Sequence, residues 1–164
     1  MNDFAVDTSL KERLARRREE LRRNRVIDIP VPGYEKELVA RYIPLDYHTL
    51  RRIGKRAENQ QDEIQAEIDL AADTLVNACE GIYEKKADDE GLAPTGYKWG
   101  TKAAVELFGL PVQELSENPT AREAILAIFP SDTLVVGHYL EYSRQTSTAQ
   151  DEVETQLQGE SRAS

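Results

Sequence analysis

A long apolar stripe with helical spacing is the feature that most constrains how this chain can fold. Between residues 64 and 82, apolar side chains recur every three or four positions, which predicts an amphipathic helix of about five turns. The stripe consists of Ile64, Ile68, Ala71, Leu75, Ala78, Cys79 and Ile82. A helix of this kind buries its apolar face against other elements, so we expect a core around it. The chain has 164 residues, which suits one domain with one core.

A β-hairpin is predicted upstream of this helix. The segment "RVIDIPVPGYEKELVARYIPL" contains two runs of apolar and β-branched residues, at 25–31 and 37–43, separated by Pro32-Gly33. Pro30 has no backbone N–H to donate, so the first strand is expected at a sheet edge. The fold class predicted is α+β and mainly α, with this N-terminal hairpin packed on four to five helices.

Residues that favour helix N-caps predict the positions of the other helices. The predicted caps are Asp46, Thr101, Thr120 and Asp132. In the helix that follows Asp46, the inward face is predicted to carry Leu50, Ile53 and Ala57, with the basic residues mainly on the other side. The segment 84–101 is rich in Gly, Pro and charge, which favours a surface loop.

The two ends of the chain are too polar to belong to the core. Ser9 and Glu12 have the spacing of a capping box, so a helix is predicted from Leu10 to about residue 24, with a thin apolar stripe. We therefore expect an exposed basic helical arm over 1–25, a globular α+β domain over 26–146 and a disordered acidic tail over 147–164.

Charge is distributed unevenly along the chain. The net charge is −9, yet residues 1–56 carry 14 Lys/Arg against 9 Asp/Glu, and the acidic excess lies in residues 57–164. A dipolar chain of this kind can associate weakly with its own copies, head to tail, or bind an acidic partner through one end. The alternative is that both halves are simply solvated.

The sequence offers no constellation typical of catalysis, a metal or a cofactor. His48 and His138 are the only histidines, and with one cysteine they do not give a zinc site of familiar spacing. Gly91 and Gly96 have the spacing of a phosphate-binding loop, but Tyr97 occupies the position where that loop needs lysine. We expect a protein that is not an enzyme and binds no cofactor.

A cytoplasmic location is predicted. The N-terminus has acidic residues where a signal peptide has basic ones, and the apolar stretches are too short to span a bilayer. The single cysteine, Cys79, leaves no internal disulfide and favours a reducing compartment.

Two basic patches and two tyrosines are the candidate contacts to a partner. They are Arg16, Arg17, Arg18, Arg22, Arg23, Arg51, Arg52, Tyr139 and Tyr142. The arginines are also the residue type that contacts phosphates in nucleic acids. The acidic remainder of the chain and the lack of aromatic residues among the arginines argue against that use.

Several segments resemble the tail assembly chaperones of long-tailed (siphovirus-type) phages that infect actinobacteria. They are "IPVPGYEKELVARYIPLDYHTLRRIGKR" (29–56), "LAADTLVNACEGIYE" (70–84), "AAVELFGL" (103–110) and "LVVGHYLEYSRQ" (134–145). The resemblance covers about 29–145 and leaves the basic arm and the acidic tail outside it.

The resemblance implies a non-enzymatic role in virion morphogenesis. Proteins of this family are thought to coat the tape-measure protein in the host cytoplasm before the tail tube polymerises. They are often made together with a frameshifted longer form and are generally absent from the finished virion. The implied partners are the tape-measure protein and that longer form, with no nucleic acid and no membrane. The alternatives are a small nucleic-acid-associated phage protein and a structural head-tail or tail connector.

Overall fold

A computed structural model of the protein describes residues 2–23, 25–87, 91–110 and 120–163, with side chains for 9–21, 23, 25–87, 91–110 and 120–147. Within those residues the chain forms six helices and one four-stranded antiparallel sheet, an α+β fold that is 58% helical. In chain order these are α1 (Asn2–Arg23), β1 (Ile27–Pro30), β2 (Leu38–Tyr42), α2 (Tyr47–Glu58), α3 (Glu63–Ala78), β3 (Cys79–Lys85), β4 (Leu92–Pro94), α4 (Lys102–Leu107), α5 (Ala121–Ile128) and α6 (Asp132–Ala163). The predicted class, α+β and mainly α, is confirmed.

The predicted hairpin forms strands β1 and β2. Ile27 pairs with Tyr42 and Pro30 with Val39, in antiparallel register. Gly33 adopts a φ of +86° in the turn between the strands, a conformation that glycine reaches without strain. The strand order is β1-β2-β3-β4, so β1 is an edge strand, as the missing N–H of Pro30 predicts.

The sheet has two strands more than the hairpin predicted from the sequence. The helix predicted to reach Ile82 ends at Ala78, and β3 begins at Cys79 and pairs with β2. Cys79 and Ile82 are three residues apart, a helical spacing, and both are buried in the strand because the β2–β3 register shifts at Arg41/Tyr42. The free edge of β2 favours a strand there, because it supplies backbone partners for the whole segment.

The segment 84–101, predicted as a surface loop, contributes to the core instead. It contains β4, and beyond that strand Ile82 N–H donates to the Tyr97 carbonyl at 2.9 Å. The Trp99 side chain that follows is only 2% exposed. The prediction failed because Gly and Pro mark turns, and a turn can return the chain to the sheet as readily as leave it in solvent.

Helix α3 lies at the centre of the fold and contacts α2, α5 and α6. Leu75 is fully buried in the middle of its stripe, and Ala71 and Ile68 are buried one and two turns earlier. Ile64 is 71% exposed, so the buried stripe begins one turn later than the sequence predicts.

Three of the five predicted N-caps are confirmed, and the capping box predicted at Ser9 and Glu12 is wrong, because α1 begins at Asn2 and both residues lie inside the helix. The side chains of Asp46, Thr101 and Thr120 each accept a backbone N–H three residues later, at 2.8, 3.1 and 3.1 Å. The fourth is shifted by one residue, because the Ser131 hydroxyl accepts the Leu134 N–H at 3.3 Å and Asp132 is the first helical residue of α6. A carboxylate in that first turn still interacts favourably with the helix dipole.

Both terminal helices are longer than the sequence predicts. The backbone is helical from Asn2 in α1 and through Ala163 in α6, where a disordered tail was expected over 147–164. Residues 147–158 contain no Gly or Pro and are rich in Gln and Glu, so they can extend a helix that the core has already nucleated.

Candidate partner-binding surfaces

Helix α1 carries most of the arginines predicted to contact a partner. The exposed ones are Arg16, Arg17, Arg18 and Arg23. The Arg22 side chain lies outside those that the structure describes. Every described side chain from Ser9 to Leu21 is exposed, so this part of the helix presents its whole circumference to solvent.

Two ion pairs between described side chains of α1 are solvent-exposed. An Arg17 guanidinium nitrogen lies 3.5 Å from a Glu20 carboxylate oxygen, and Arg23 lies 3.8 Å from Glu19. Exposed pairs of this kind contribute only about 0–1 kcal/mol. A partner's carboxylates can therefore replace these contacts at little cost in free energy.

A leucine stripe accompanies the arginines of α1. Leu10, Leu14 and Leu21 are 43%, 59% and 50% exposed, and their spacing places them on one face of the helix. Arg17 and Arg18 flank that face, while Arg16 points away from it. The stripe is thin, as predicted, but it gives the basic arm an apolar contact surface.

Helix α2 combines an anchored inner face with a basic outer face. Ile53 is 4% exposed and packs inward, whereas Arg51 and Arg52 are exposed as the sequence predicts. Leu50 was predicted on the inner face but is 47% exposed, and Tyr47 one turn earlier is 71% exposed. The outer face of α2 is therefore both basic and apolar.

The two tyrosines of α6 do not form a common surface. Tyr142 is only 4% exposed and its hydroxyl donates to the Ile43 carbonyl at 3.1 Å, so its ring belongs to the core. Tyr139 is half-buried. Among the described side chains of α6, up to residue 147, the exposed large apolar ones are Leu134 and Leu140, at 38% and 56%.

A buried hydrogen-bond chain joins three parts of the sequence. Trp99 Nε1–H donates to the Tyr42 hydroxyl oxygen at 2.7 Å, and that hydroxyl lies 2.6 Å from His138 Nε2. Donation of the Tyr42 hydroxyl hydrogen to His138 satisfies both groups, and it requires an unprotonated Nε2. Burial lowers the pKa of His138 to about 4, in agreement with a neutral ring. His138 is 4% exposed, and its role is structural.

Two aspartates of α3 link it to its neighbouring helices, a role that the sequence pattern did not predict. Arg122 Nε of α5 lies 2.7 Å from Asp69 Oδ1, and an Arg56 nitrogen of α2 lies 3.7 Å from Asp73 Oδ2. Both carboxylates are mostly buried, and burial raises the pKa of Asp73. The i,i+4 spacing of the two aspartates was the available signal, but it does not identify their partners.

An apolar cleft of about 400 Å³ lies beside the β1–β2 turn and the end of α4. Its lining residues are Tyr34, Glu37, Leu38, Glu84, Thr95, Leu107 and Phe108. Leu107 is 41% exposed, while Glu37 and Glu84 are exposed carboxylates. The cleft is thus apolar inside and acidic at its edge. It brings together residues far apart in sequence, which explains why no local pattern indicated it.

The single thiol is not placed for surface chemistry. Cys79 is buried, and burial raises its pKa to about 11, so the thiol stays protonated. Within the described residues, no group of three or more His, Cys, Asp or Glu side chains is arranged to hold a metal ion. None of the helices in that part of the chain combines the length and apolar character needed to cross a membrane.

The segments that carry the family resemblance meet in the core. Tyr42, from "VARYIPLD", bonds to His138, from "VVGHYLEY", and Tyr142 of the latter segment bonds to Ile43 of the former. Comparison of the chain with protein-family models, curated protein sequences and solved structures finds no match. The resemblance therefore rests on these sequence segments.

Proposed function

We propose that this protein is a tail assembly chaperone of a long-tailed phage, one that binds and coats the tape-measure protein during tail morphogenesis. It would act in the cytoplasm of the bacterial host beside a frameshifted longer form of itself, and it would be absent from the mature virion. It would act by binding alone, without catalysis.

The observation that carries this proposal is the pairing of exposed apolar side chains with arginines on α1 and α2. Leu10, Leu14 and Leu21 accompany Arg17 and Arg18 on α1. Tyr47 and Leu50 accompany Arg51 and Arg52 on α2 in the same way. Large exposed apolar groups at helical spacing are typical of surfaces that bind other proteins.

A tape-measure protein suits such surfaces, because it is a long helical chain with apolar side chains exposed until the tail tube encloses it. Many copies of a small protein can cover it through contacts that are individually weak. Repetition along the rod then supplies the affinity, since neighbouring sites raise the effective concentration of each copy.

The contacts within the core add support from the sequence side. The "VARYIPLD" and "VVGHYLEY" segments are separated by about ninety residues, yet Tyr42 and His138 lie within hydrogen-bonding distance, at 2.6 Å. Segments shared with a family for reasons of fold are expected to contact one another in this way.

Co-expression with the tape-measure protein encoded by the same phage tests the proposal. The tape-measure protein should be soluble when this chain is present and should aggregate when it is absent. A variant with serine at Leu14, Tyr47 and Leu50 should lose that effect, whereas one with serine at Leu134 and Leu140 should keep it. Equal solubility with and without the chain would refute the proposal.

Two further measurements separate the alternatives. Mass spectrometry of purified virions should not detect a chaperone, whereas a structural connector would be present in every particle. The exposed arginines of α1 and α2 favour nucleic-acid binding as a second candidate function. Tight, salt-sensitive binding to random DNA would support that candidate instead.

A further inference from the structure

The leucine stripe of α1 has no partner within the described part of its own chain. The apolar cleft beside the β1–β2 turn has no occupant there either. We propose that Leu10 and Leu14 on α1 of one copy dock into the cleft of a second copy of this chain. The contact concerns copies of one chain, so it does not depend on the proposed function.

The cleft is a rigid receptor for apolar side chains. The rings of Tyr34 and Phe108 meet edge to face with centroids 4.9 Å apart, and Phe108 stacks on Trp99 at 6.0 Å. Trp99 is itself held by its hydrogen bond to Tyr42. The Tyr34 and Phe108 rings are therefore held in place by the core. Together with Leu38 and Leu107 they form a preformed apolar surface, so less conformational entropy is lost on docking.

The charges of the two surfaces are complementary. Glu37 and Glu84 are exposed at the edge of the cleft, and Arg17 and Arg18 flank the leucines of α1. Of the neighbouring lysines, Lys85 is engaged elsewhere, because its Nζ donates to the Glu35 carbonyl at 2.5 Å. A leucine inserted in the cleft would therefore bring flanking guanidinium groups toward exposed carboxylates.

A second copy fits the cleft better than the chain's own arm. Helix α1 ends at Arg23, and β1 begins at Ile27. The turn that carries Tyr34 follows the other end of β1. The helix would have to fold back along the sheet to reach its own cleft. Instead, the described α1 side chains are exposed in the single chain.

The geometry of this contact determines the type of oligomer that forms. Arm and cleft are different surfaces, so each copy can give its arm to one neighbour and receive the arm of another. Such a heterologous contact produces rings or open chains and not closed two-fold dimers. One small cleft and a few exposed ion pairs make each contact weak and sensitive to salt.

Cysteine cross-linking between copies tests the contact directly. A Leu14→Cys chain mixed in equal amount with a Leu107→Cys chain under mild oxidation should give the mixed dimer in clear excess over the roughly 1:2:1 ratio that random pairing of two thiols produces. High salt should reduce the yield. A Leu50→Cys chain is the matched control, because Leu50 is exposed to a similar extent on a different helix. The unmodified chain gives the background, since its Cys79 is buried.

A charge reversal identifies the register of the contact. Arg18→Glu in the Leu14→Cys chain should lower the yield of mixed dimer, and Glu84→Arg in the Leu107→Cys chain should restore it. Arg16→Glu is the control on the opposite side of α1 and should have little effect.

The double variant, with cysteine at both 14 and 107, distinguishes docking between copies from docking within one chain. A ladder of cross-linked oligomers is expected. A cross-linked monomer alone would show that the arm occupies its own cleft and would overturn the proposal. Mixed-dimer yields no higher than those of the Leu50→Cys control would overturn it too.

Discussion

At the residue scale, the core is organised around polar aromatic side chains. Tyr42, Trp99 and His138 satisfy one another's hydrogen-bonding groups where water is excluded, and Phe129 packs edge to face on both Trp99 and His138. A buried network of this kind fixes one arrangement of β2, the segment after β4, and α6, because breaking it leaves buried polar groups without partners.

The buried histidine should make stability depend on pH. The pKa of His138 is about 4 in the folded chain and about 6.5 when unfolded, so between these values only the unfolded chain takes the proton. The free energy of unfolding should therefore fall by about 2 kcal/mol from pH 7 to pH 5. Denaturant titrations at the two pH values measure this decrease in the free energy of unfolding.

The matching controls are two glutamine substitutions. His138→Gln should remove most of the pH dependence, and His48→Gln, at an exposed position, should retain it. A wild-type chain with no change in stability between pH 7 and pH 5 would contradict the assignment of a neutral, buried His138.

Leu75 should be among the residues most sensitive to truncation. It is fully buried at the centre of α3, so Leu75→Ala should cost about 2–5 kcal/mol through lost burial and the cavity that remains. Arg52→Ala, on the exposed face of α2, should change stability by no more than about 0.5 kcal/mol. Equal midpoints for the two variants in a urea titration would be inconsistent with this core.

At the element scale, helix starts were predictable and strands were only partly so. A cap such as Thr101 or Thr120 is a local event in which one side chain satisfies a nearby N–H, so the sequence identifies it. Strand β3 depends on the free edge of β2, a partner about forty residues away. The residues next to β3 in the sequence carry no signal for that pairing. The residues next to Trp99 likewise carry no signal for its burial.

Helix α1 should contribute little to the stability of the folded body. Its described side chains are exposed and its ion pairs lie on the surface. Deleting residues 1–23 should therefore leave the thermal midpoint nearly unchanged, while cross-linking to the cleft of an intact Leu107→Cys chain is lost. Differential scanning calorimetry checks the first expectation. A large fall in the midpoint would show that α1 packs on the body.

At the scale of the whole molecule, the sequence predicted the α+β class. It did not predict the cleft, because Tyr34, Glu84 and Phe108 come from three separate regions of the chain. It also placed Tyr142 among the contact residues, although this ring is buried against the strand end at Ile43. Surfaces assembled from distant segments depend on tertiary packing, which the local spacing of residues does not predict.

The central claim is that many copies of this chain coat one long partner. Light scattering on the purified complex with the tape-measure protein measures its mass most directly. The proposal predicts a mass that exceeds that of the tape-measure protein by many multiples of 18.5 kDa, with fewer copies bound when residues 1–23 are deleted. A complex with one copy per tape-measure chain, or no complex at all, would contradict the account.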